Sequence, residues 1–348
     1  MKKNTIILIG AIDYGHLATN GETIKNQLLL QRFKDLYDSV IIADTNHWQK
    51  RPWCLLKVFW LLLWNKNVPI VVSASDSSSK LFNFLYFFPI KNNVNYWVIG
   101  GALPTKIREG LFKLRSLAKL NRIIVEGVRM AEELKVMGLN NVIRVPNFKP
   151  IDFFPNIQNK EQEKIFHFVF LSRVHPSKGI HEIVEACNEL NSIGLKDLYH
   201  IDFYGPIEPE FESDFNKMIS NCETLSYKGF LNLTNNEGYA KLAQYDTMLF
   251  PTYWTNEGFP GVVIDAYIAG LPIIASDWNM NKEVIINEKT GFLIPVHNSH
   301  ALALKMNDII TRKIDLFKMR CICSEHAKLY DYRNVITMDL LKEITSLK

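Results

Sequence analysis

The sequence predicts an α/β protein of two domains, each containing a parallel sheet that is covered by helices on both faces. Three observations support this fold class. The chain has 348 residues, more than a single hydrophobic core usually covers. Short, uninterrupted apolar runs alternate with amphipathic segments, which is typical of parallel strands buried on both faces. The alternation stops near the middle of the chain and then restarts, which indicates two Rossmann-like domains.

Apolar runs predict six strands in the first half and five in the second. The first-half strands are residues 5–9, 40–43, 70–73, 96–99, 122–125 and 142–145. The second-half strands are residues 166–171, 199–204, 225–227, 248–250 and 273–275. The segment 146–150, with a proline at each end, and the polar run 156–164 read as a linker. We therefore predict domains over residues 1–150 and 160–329, followed by a helix over 330–348.

Composition and charge restrict the class of protein. Apolar residues make up 47% and charged residues 22% of the chain, which excludes a disordered protein. The net charge of +4, without a basic stripe, gives no indication of nucleic-acid binding. The five cysteines lack disulfide-framework or zinc spacing, which predicts reduced thiols in the cytoplasm. The first apolar run is too short for a signal peptide, and none reaches the ~20 residues of a transmembrane helix.

The most informative segment is residues 256–265, Asn-Glu-Gly-Phe-Pro-Gly-Val-Val-Ile-Asp. It connects a predicted strand to a short apolar helix, so its glycine turn directs backbone N–H groups and the positive end of a helix toward an anion. Glu257 lies in the loop and Asp265 lies one turn into the helix, where both carboxylates could reach one ligand that carries a phosphate and several hydroxyls. The alternative is an acidic loop followed by an Asp that stabilises the helix dipole.

Two cations form a second candidate cluster within residues 170–180. Arg173 ends a predicted strand and Lys178 follows it by five residues, at the strand edge where ligands bind in such sheets. A guanidinium fork and a lysine point charge are suited to holding a diphosphate. The alternative is two solvated loop cations, and the presence of Glu257 in the same domain favours the diphosphate clamp.

Glycines mark other strand ends. In the second half, Gly205 and the loop 229–231 would permit close approach of a nucleobase, although an ordinary turn explains Gly205 equally well. In the first half, a long polar loop ends at Gly21, where a helix begins, and Gly100-Gly101 ends another strand. The amides at the start of that helix could bind phosphate.

Together these segments resemble the retaining, GT-B-fold glycosyltransferases of family 4, also described as glycosyl transferases group 1. Residues 257–265 resemble the Glu-x7-Glu signature of that family, and residues 172–179 resemble its Gly-Arg-x-x-x-x-Lys-Gly pattern. The Glu-Gly-Phe-Pro-Gly form resembles the bacterial capsular and surface-polysaccharide branch. The departures from the family pattern are Asp265 in place of Glu, Ser172 and Phe148 in place of Gly, and no His beside Gly100-Gly101.

The resemblance implies a role for each candidate residue. Glu257 would bind the donor sugar, Asp265 the nucleotide ribose, and Arg173 and Lys178 the diphosphate, whose developing charge they would neutralise. Further donor-binding positions are implied at Gly258, Phe259, Pro260, Gly261, Val262 and Val263 (the last two through their amides), at Gly229, Phe230 and Leu231 around the nucleobase, and at Gly21 near the phosphates. The implied acceptor-side positions are Asp13, His16, Gly100 and Gly101; for His16, a role as general base competes with a simple polar contact.

The resemblance also implies an overall organisation. In the GT-B fold, the first domain binds the acceptor, the second binds the nucleotide sugar, and the tail 330–348 packs back on the first domain. It implies a UDP-sugar donor, a glycan or polyprenyl-linked acceptor, and no metal or other cofactor. A GT-B-fold epimerase or phosphorylase, and a catalytically inactive scaffold subunit of a polysaccharide complex, are the alternatives.

Residues 50–66 are unusually apolar and contain Trp53, Trp60 and Trp64 on one side of a predicted helix, flanked by basic residues. Tryptophan with flanking Lys and Arg is typical of a membrane-interface anchor, so this segment predicts peripheral contact with an anionic membrane. Packing of the three indoles into the protein core is the competing hypothesis. The second apolar run, residues 81–88, is predicted to be a core helix.

Overall fold

The computed structural model describes residues 4–16, 20–65, 67–75, 78–85, 93–158, 165–255 and 257–346. Lys66, Asn256, the end of the apolar run at 86–88 and the linker residues 159–164 lie outside the described residues. The chain divides into two compact units. Unit 1 comprises Met1–Pro150 and Tyr332–Lys348, and unit 2 comprises Ile151–Asp331.

Unit 1 contains a six-stranded parallel sheet, in the order β2-β1-β3-β4-β5-β6. The strands are β1 (Thr5–Gly10), β2 (Ser39–Asp44), β3 (Ile70–Ala74), β4 (Val94–Val98), β5 (Arg122–Val125) and β6 (Val142–Arg144). All six first-half strands are thus confirmed. The central strands β3 and β4 are buried at every position, as expected for apolar strands covered on both faces.

The connections of unit 1 are helical: α1 (Gly21–Leu36), α2 (Cys54–Trp64), α3 (Ser79–Leu85), α4 (Leu103–Arg108), α5 (Leu114–Ala118) and α6 (Val128–Val136). The start of α1 is set by a capping box, in which Asn20 accepts from the Thr23 amide and Thr23 reaches back to the Asn20 amide. Leu29, Leu30 and Phe33 then bury one side of α1 against the sheet.

The C-terminal tail packs on unit 1, but it is not the single helix that was predicted. It forms two short helices, α14 (Tyr332–Val335) and α15 (Met338–Thr345). The break occurs because Thr337 is extended and caps α15, with its hydroxyl accepting from the Leu340 amide at 3.2 Å. Ile336, Leu341 and Ile344 join the core of unit 1, and Arg32 donates to the Ile336 carbonyl at 2.8 Å.

Unit 2 also contains a six-stranded parallel sheet, in the order β12-β11-β10-β7-β8-β9. The strands are β7 (Phe166–Leu171), β8 (Tyr199–Tyr204), β9 (Leu225–Tyr227), β10 (Thr247–Phe250), β11 (Ile273–Ser276) and β12 (Gly291–Ile294). The five predicted strands are confirmed, and the sixth, β12, was missed. It is a four-residue strand beside β11, too short for a clear period in the sequence.

In the described part of unit 2, seven helices separate and cover these strands. They are α7 (Ile180–Ser192), α8 (Glu212–Ser220), α9 (Asn236–Leu242), α10 (Gly261–Ile268), α11 (Asn281–Val284), α12 (Ser299–Ile310) and α13 (Leu316–Ala327). Phe168, Phe170, Ile201 and Phe203 of the central strands pack with buried residues of α7 and α12 in one core cluster. The fold class is therefore two parallel-sheet α/β units, as predicted.

Candidate active site

The order of strands in unit 2 identifies the place for a ligand. From β7 the chain builds outward through β8 and β9, and then returns to the other side of β7 with β10. Neighbouring strands β7 and β10 therefore lead into loops that diverge, which leaves a crevice beyond their carboxyl ends. Lys178 follows β7 and Glu257 follows β10, so both predicted residues lie at this switch point.

Lys178 and Glu257 form an ion pair between the lysine Nζ and Glu257 Oε2. Their side chains are 11% and 14% exposed, so the pair is largely screened from water while one side stays accessible. Thr252 donates to the same carboxylate oxygen at 3.2 Å, and Asn279 Nδ2 donates to the Glu257 carbonyl at 2.8 Å. The two groups are thus held in fixed positions next to each other.

The backbone around Lys178 is shaped by three neighbours. His175 caps the short 3₁₀ turn Pro176–Lys178 by accepting from the Ser177 amide at 3.1 Å. Gly179 has a φ of 81°, and a side chain there would collide with the backbone of Pro251 at the end of β10. Only glycine allows this close approach, which brings the Lys178 loop against the loop that carries Glu257.

Arg173, the other predicted member of the diphosphate clamp, has a different partner. Its exposed guanidinium lies 3.5 Å from Glu208 Oε2, in the loop after β8. The structure therefore brings together Lys178 and Glu257, while Arg173 is paired with an acidic side chain that a diphosphate would have to displace. Its role in the clamp stays a prediction.

Asp265 is buried rather than open to a ligand. It is the fifth residue of α10, and its Oδ1 accepts from the Tyr239 hydroxyl of α9 at 2.7 Å. Burial and this carboxylate raise the pKa of Tyr239, so the phenol remains a donor at every physiological pH. Asp265 does not lie in the first turn, so the helix-dipole alternative is wrong; its contact with a ribose stays a prediction.

The segment 258–263, which leads into α10 at Gly261, contributes backbone groups rather than side chains. Phe259 and Pro260 are buried, and the Phe259 ring packs edge-on against Tyr330 with centroids 5.6 Å apart. The amide of Val263 already donates to the Pro260 carbonyl at 3.1 Å, which argues against its predicted role as an anion donor. For Val262, and for the half-buried Gly258 and Gly261, donor binding stays a prediction.

The strand-end loops after β8 and β9 contact each other. The Gly205 amide donates to the Gly229 carbonyl at 2.8 Å, and Tyr227 donates to the Gly205 carbonyl at 2.9 Å. Gly205 has a φ of 135° and no room for a side chain against Ser172, so packing alone explains this glycine. Phe230 is 78% exposed and Leu231 is buried, which leaves an aromatic face open beside the predicted nucleobase position.

In unit 1, the predicted positions lie in the loop after β1, at the start of α1 and in the loop after β4. Asp13 has a φ of 54° and its carboxylate lies 3.3 Å from His16 Nδ1. Glu22, in the first turn of α1, accepts from the Ser75 hydroxyl at 2.8 Å, so a carboxylate already offsets the helix dipole beside Gly21. Gly100 has a φ of 92°, which the turn requires. The assignments of Asp13, His16, Gly21, Gly100 and Gly101 stay predictions.

Several supporting residues were not found from the sequence. Thr252 and Asn279, which hold Glu257, and Tyr239, which holds Asp265, have no motif of their own. A buried ion pair in unit 1 between Lys25 and Glu126 was also missed, although a lysine on the apolar side of α1 was a usable signal. Among the described residues, no group of three or more His, Cys, Asp or Glu side chains is arranged to hold a metal ion, and metal independence stays a prediction.

Comparison with known proteins supports the same fold and family. HepE of Anabaena in complex with UDP superposes with a TM-score of 0.74 at 13% identity, over 99% of this chain and 100% of that one, which shows the GT-B fold. WcaL of Salmonella typhimurium, whose name assigns it to colanic acid biosynthesis, is 26% identical over 142 residues, which span 40% of this chain and only 34% of WcaL. An N,N'-diacetylbacillosaminyl-diphospho-undecaprenol α-1,3-N-acetylgalactosaminyltransferase of Campylobacter jejuni is 24% identical over 90% of this chain and 87% of its own length.

The sequence profile of the family described as glycosyl transferases group 1 matches residues 151–329, which is more than half of the chain and nearly all of unit 2. The matched region contains the Lys178–Glu257 pair, Arg173 and Asp265. The chain therefore belongs to the glycosyl transferases group 1 family.

Proposed function

We propose that this protein is a glycosyltransferase that moves a sugar from a nucleotide-sugar donor to a growing or lipid-linked surface-polysaccharide glycan, with retention of anomeric configuration. The donor is proposed to be a UDP-sugar. The proposal combines the family membership with the chemistry of the switch point in unit 2. Relatives support the choice of ligands: HepE was solved with UDP, and the name of the Campylobacter relative includes an undecaprenol-linked acceptor.

One observation carries the proposal: a lysine and a carboxylate form an ion pair at the carboxyl ends of β7 and β10. In a nucleotide sugar, the anionic diphosphate is bonded directly to the sugar ring. A site for that ligand needs a cation that binds the diphosphate and, next to it, a group that accepts hydrogen bonds from the sugar hydroxyls. Lys178 supplies the first and Glu257 the second, and both are already in place.

The chemistry follows from the charges. When the bond between the sugar and the diphosphate breaks, negative charge develops on the departing phosphate, and a fixed cation in a partly desolvated site stabilises that charge. Lys178 is proposed to do this, with the Val262 amide, and with Arg173 once its contact to Glu208 is displaced. Glu257 is proposed to orient the sugar hydroxyls, a role for which its fixed position is suited.

The test is a thermal-shift screen with UDP, GDP, ADP and their sugar derivatives. A ligand that binds only the native state raises the melting temperature, with a stabilisation of about 2.7 kcal/mol at 100 times its dissociation constant. UDP and at least one UDP-sugar are expected to do so. Failure of every nucleotide to shift the melting temperature would contradict the proposal. Epimerised sugar formed from the donor without an acceptor would indicate an epimerase, and sugar 1-phosphate released from a glycan by inorganic phosphate would indicate a phosphorylase.

We also propose that α2 contacts the cytoplasmic face of an anionic membrane. Trp53, Trp60 and Trp64 are 64%, 57% and 67% exposed, whereas Val58 and Leu61 face inward. The core-packing hypothesis for the three indoles is therefore wrong. Leu56 extends the same exposed apolar surface, and no helix in the described ranges has the length and apolar composition to cross a bilayer.

Basic residues complete the argument for a membrane. Lys50, Arg51 and Lys57 are exposed beside the indoles, and each would contribute about 1 kcal/mol of binding free energy near an anionic surface.

Changing Trp60 and Trp64 to Ser should release the protein from phosphatidylglycerol vesicles in a sedimentation assay without changing its melting temperature, because the indoles are exposed. Phe317→Ser, at an exposed aromatic of unit 2, is the control and should leave binding intact. Wild-type protein that stays in the supernatant at low salt would contradict this proposal.

A further inference from the structure

A cluster of three side chains lies beside the candidate site in unit 2. Glu182, in the first turn of α7, is 8% exposed, and its Oε1 lies 3.0 Å from Nδ1 of His297. Because a carboxylate only accepts, Nδ1 carries the proton of this hydrogen bond. The His297 ring packs against the ring of Tyr253, with centroids 4.0 Å apart. None of the three belongs to a family motif quoted above.

The cluster joins two loops and the first turn of α7 at the carboxyl edge of the sheet. His297 follows β12, Tyr253 follows β10, and Glu182 is near the start of the helix after β7. Burial, together with the Glu182 carboxylate, raises the pKa of Tyr253, which is consistent with their proximity. Glu182 Oε2 is buried without a hydrogen-bond partner among the described residues. Burying an unpaired carboxylate oxygen costs folding free energy, which indicates a role other than stability for Glu182.

Tyr253 links this cluster to the ion pair. Its amide donates to the Ser177 carbonyl at 2.8 Å, and Ser177 is the residue before Lys178. The preceding residue, Thr252, approaches the same carbonyl at 3.4 Å and donates to Glu257 Oε2 at 3.2 Å. A displacement of Tyr253 would therefore move both halves of the ion pair.

We infer that Glu182 and His297 are positioning residues that hold Tyr253, and through it the Lys178 loop, in the geometry that a nucleoside diphosphate needs. The inference rests on the proposed function for its ligand. His297 has a φ of 55°, a conformation that His and Asn adopt more readily than most residues. Neither residue is required to touch the ligand.

The chain provides a matched control. His300 Nδ1 lies 2.7 Å from Glu189 Oε1, so a second histidine–glutamate contact joins α12 to α7. Glu189 lies further along α7, away from the loop that bears Lys178. His300→Ala removes the same kind of contact as His297→Ala, but between α12 and α7 instead of beside the Tyr253 ring.

The first measurement is amide hydrogen exchange in the ligand-free protein. We expect exchange at the Tyr253 amide to rise about tenfold or more in His297→Ala and to stay at the wild-type rate in His300→Ala, since local opening controls exchange. Equal exchange in the two variants overturns the inference, whatever the protein binds.

The second measurement is titration with UDP. We expect the dissociation constant to rise about tenfold in His297→Ala and not in His300→Ala, because small displacements of positioning groups are costly. His297→Asn, which suits the positive φ and can donate to Glu182, should return the constant to within about threefold of wild type. Equal UDP affinity in His297→Ala and His300→Ala overturns the inference. Wild-type protein that binds no UDP contradicts the proposed function instead, and the exchange measurement still decides the positioning role.

Discussion

Each unit of this protein places a lysine–glutamate ion pair at the carboxyl edge of its sheet, and the two pairs differ in what surrounds them. Lys178 and Glu257 of unit 2 lie on loops, with side chains 11% and 14% exposed. Lys25 and Glu126 of unit 1 lie within α1 and directly after β5, with side chains 7% and 5% exposed. The ring of Phe148 lies 5.2 Å from Lys25 Nζ.

Burial has a measurable consequence for the unit 1 pair. Desolvation lowers the pKa of Lys25 from 10.5 to about 7, so its charge is marginal at neutral pH. A lysine beside a carboxylate at a strand edge therefore does not by itself mark a binding site. What distinguishes the unit 2 pair is its position on loops and its greater exposure, both of which an anion would need in order to compete with Glu257 for the lysine.

The largest effect is expected on stability in unit 1. Glu126→Leu leaves Lys25 buried without its carboxylate and should lower the free energy of unfolding by about 3 kcal/mol at pH 5, where Lys25 is charged in the wild-type protein, measured by urea denaturation. The double variant Lys25→Met, Glu126→Leu should recover most of this loss, because an apolar pair of similar volume needs no compensating charge. A single variant as stable as wild type would show that the pair is not desolvated.

The next effect is on turnover in unit 2. Lys178→Ala should reduce kcat by about 10²–10³, since it removes charge stabilisation that grows as the diphosphate departs. Lys196→Ala, which breaks an exposed pair with Glu223 at 2.6 Å, is the matched control and should retain full turnover. Near-wild-type kcat for Lys178→Ala at saturating UDP-sugar would contradict the clamp.

A smaller and more specific effect is expected from Glu257→Gln. Turnover should fall by roughly tenfold to a hundredfold, because an amide orients the sugar hydroxyls less well than a carboxylate. Affinity for UDP should be unchanged or higher, because the substitution frees Lys178 from its ion pair. Calorimetric titration that shows clearly weaker UDP binding would mean that Glu257 supports the diphosphate site rather than competing with it.

The smallest effect is a dependence of stability on pH. Since the folded-state pKa of Lys25 is about 7 and the ordinary value is 10.5, the unfolded chain holds one more proton between these pH values. The free energy of unfolding should therefore rise with pH above 7, by at most about 1.4 kcal/mol per unit. The slope should be absent in the double variant Lys25→Met, Glu126→Leu, in urea denaturation at pH 7, 8 and 9. Identical slopes would show that Lys25 stays charged in the folded protein.

Local patterns were sufficient for most of the fold. Runs such as Ile70–Ala74 and Phe166–Leu171 are apolar at nearly every position, so their identity as buried parallel strands follows from composition alone. The prediction failed for two elements whose limits depend on contacts with other parts of the chain. The short edge strand β12 was not predicted, and the tail is divided into two helices where Thr337 caps α15. Propensity over a few residues carries too little information to locate such boundaries.

For the site, the chemistry of individual residues was readable but their partners were not. Lys178 and Glu257 were both selected as candidates, but their direct ion pair depends on the adjacency of β7 and β10, which lie 75 or more residues apart in sequence. Arg173 was chosen by the same reasoning, and the fold instead pairs it with Glu208. Asp265 was predicted from the sequence to contact a ribose, and only the packing of α9 against α10 shows that it is buried and bonded to Tyr239.

The two α/β units, the loops that carry the charged residues and the family to which they belong could all be read from the amino-acid sequence, because each depends on local periodicity or on a short motif. The three-dimensional structure was needed to show which charges meet, which are buried, and that the indoles of Trp53, Trp60 and Trp64 face outward. The physical reason is that desolvation and ion pairing depend on distances between residues far apart in the chain, and no local pattern of amino acids specifies those distances.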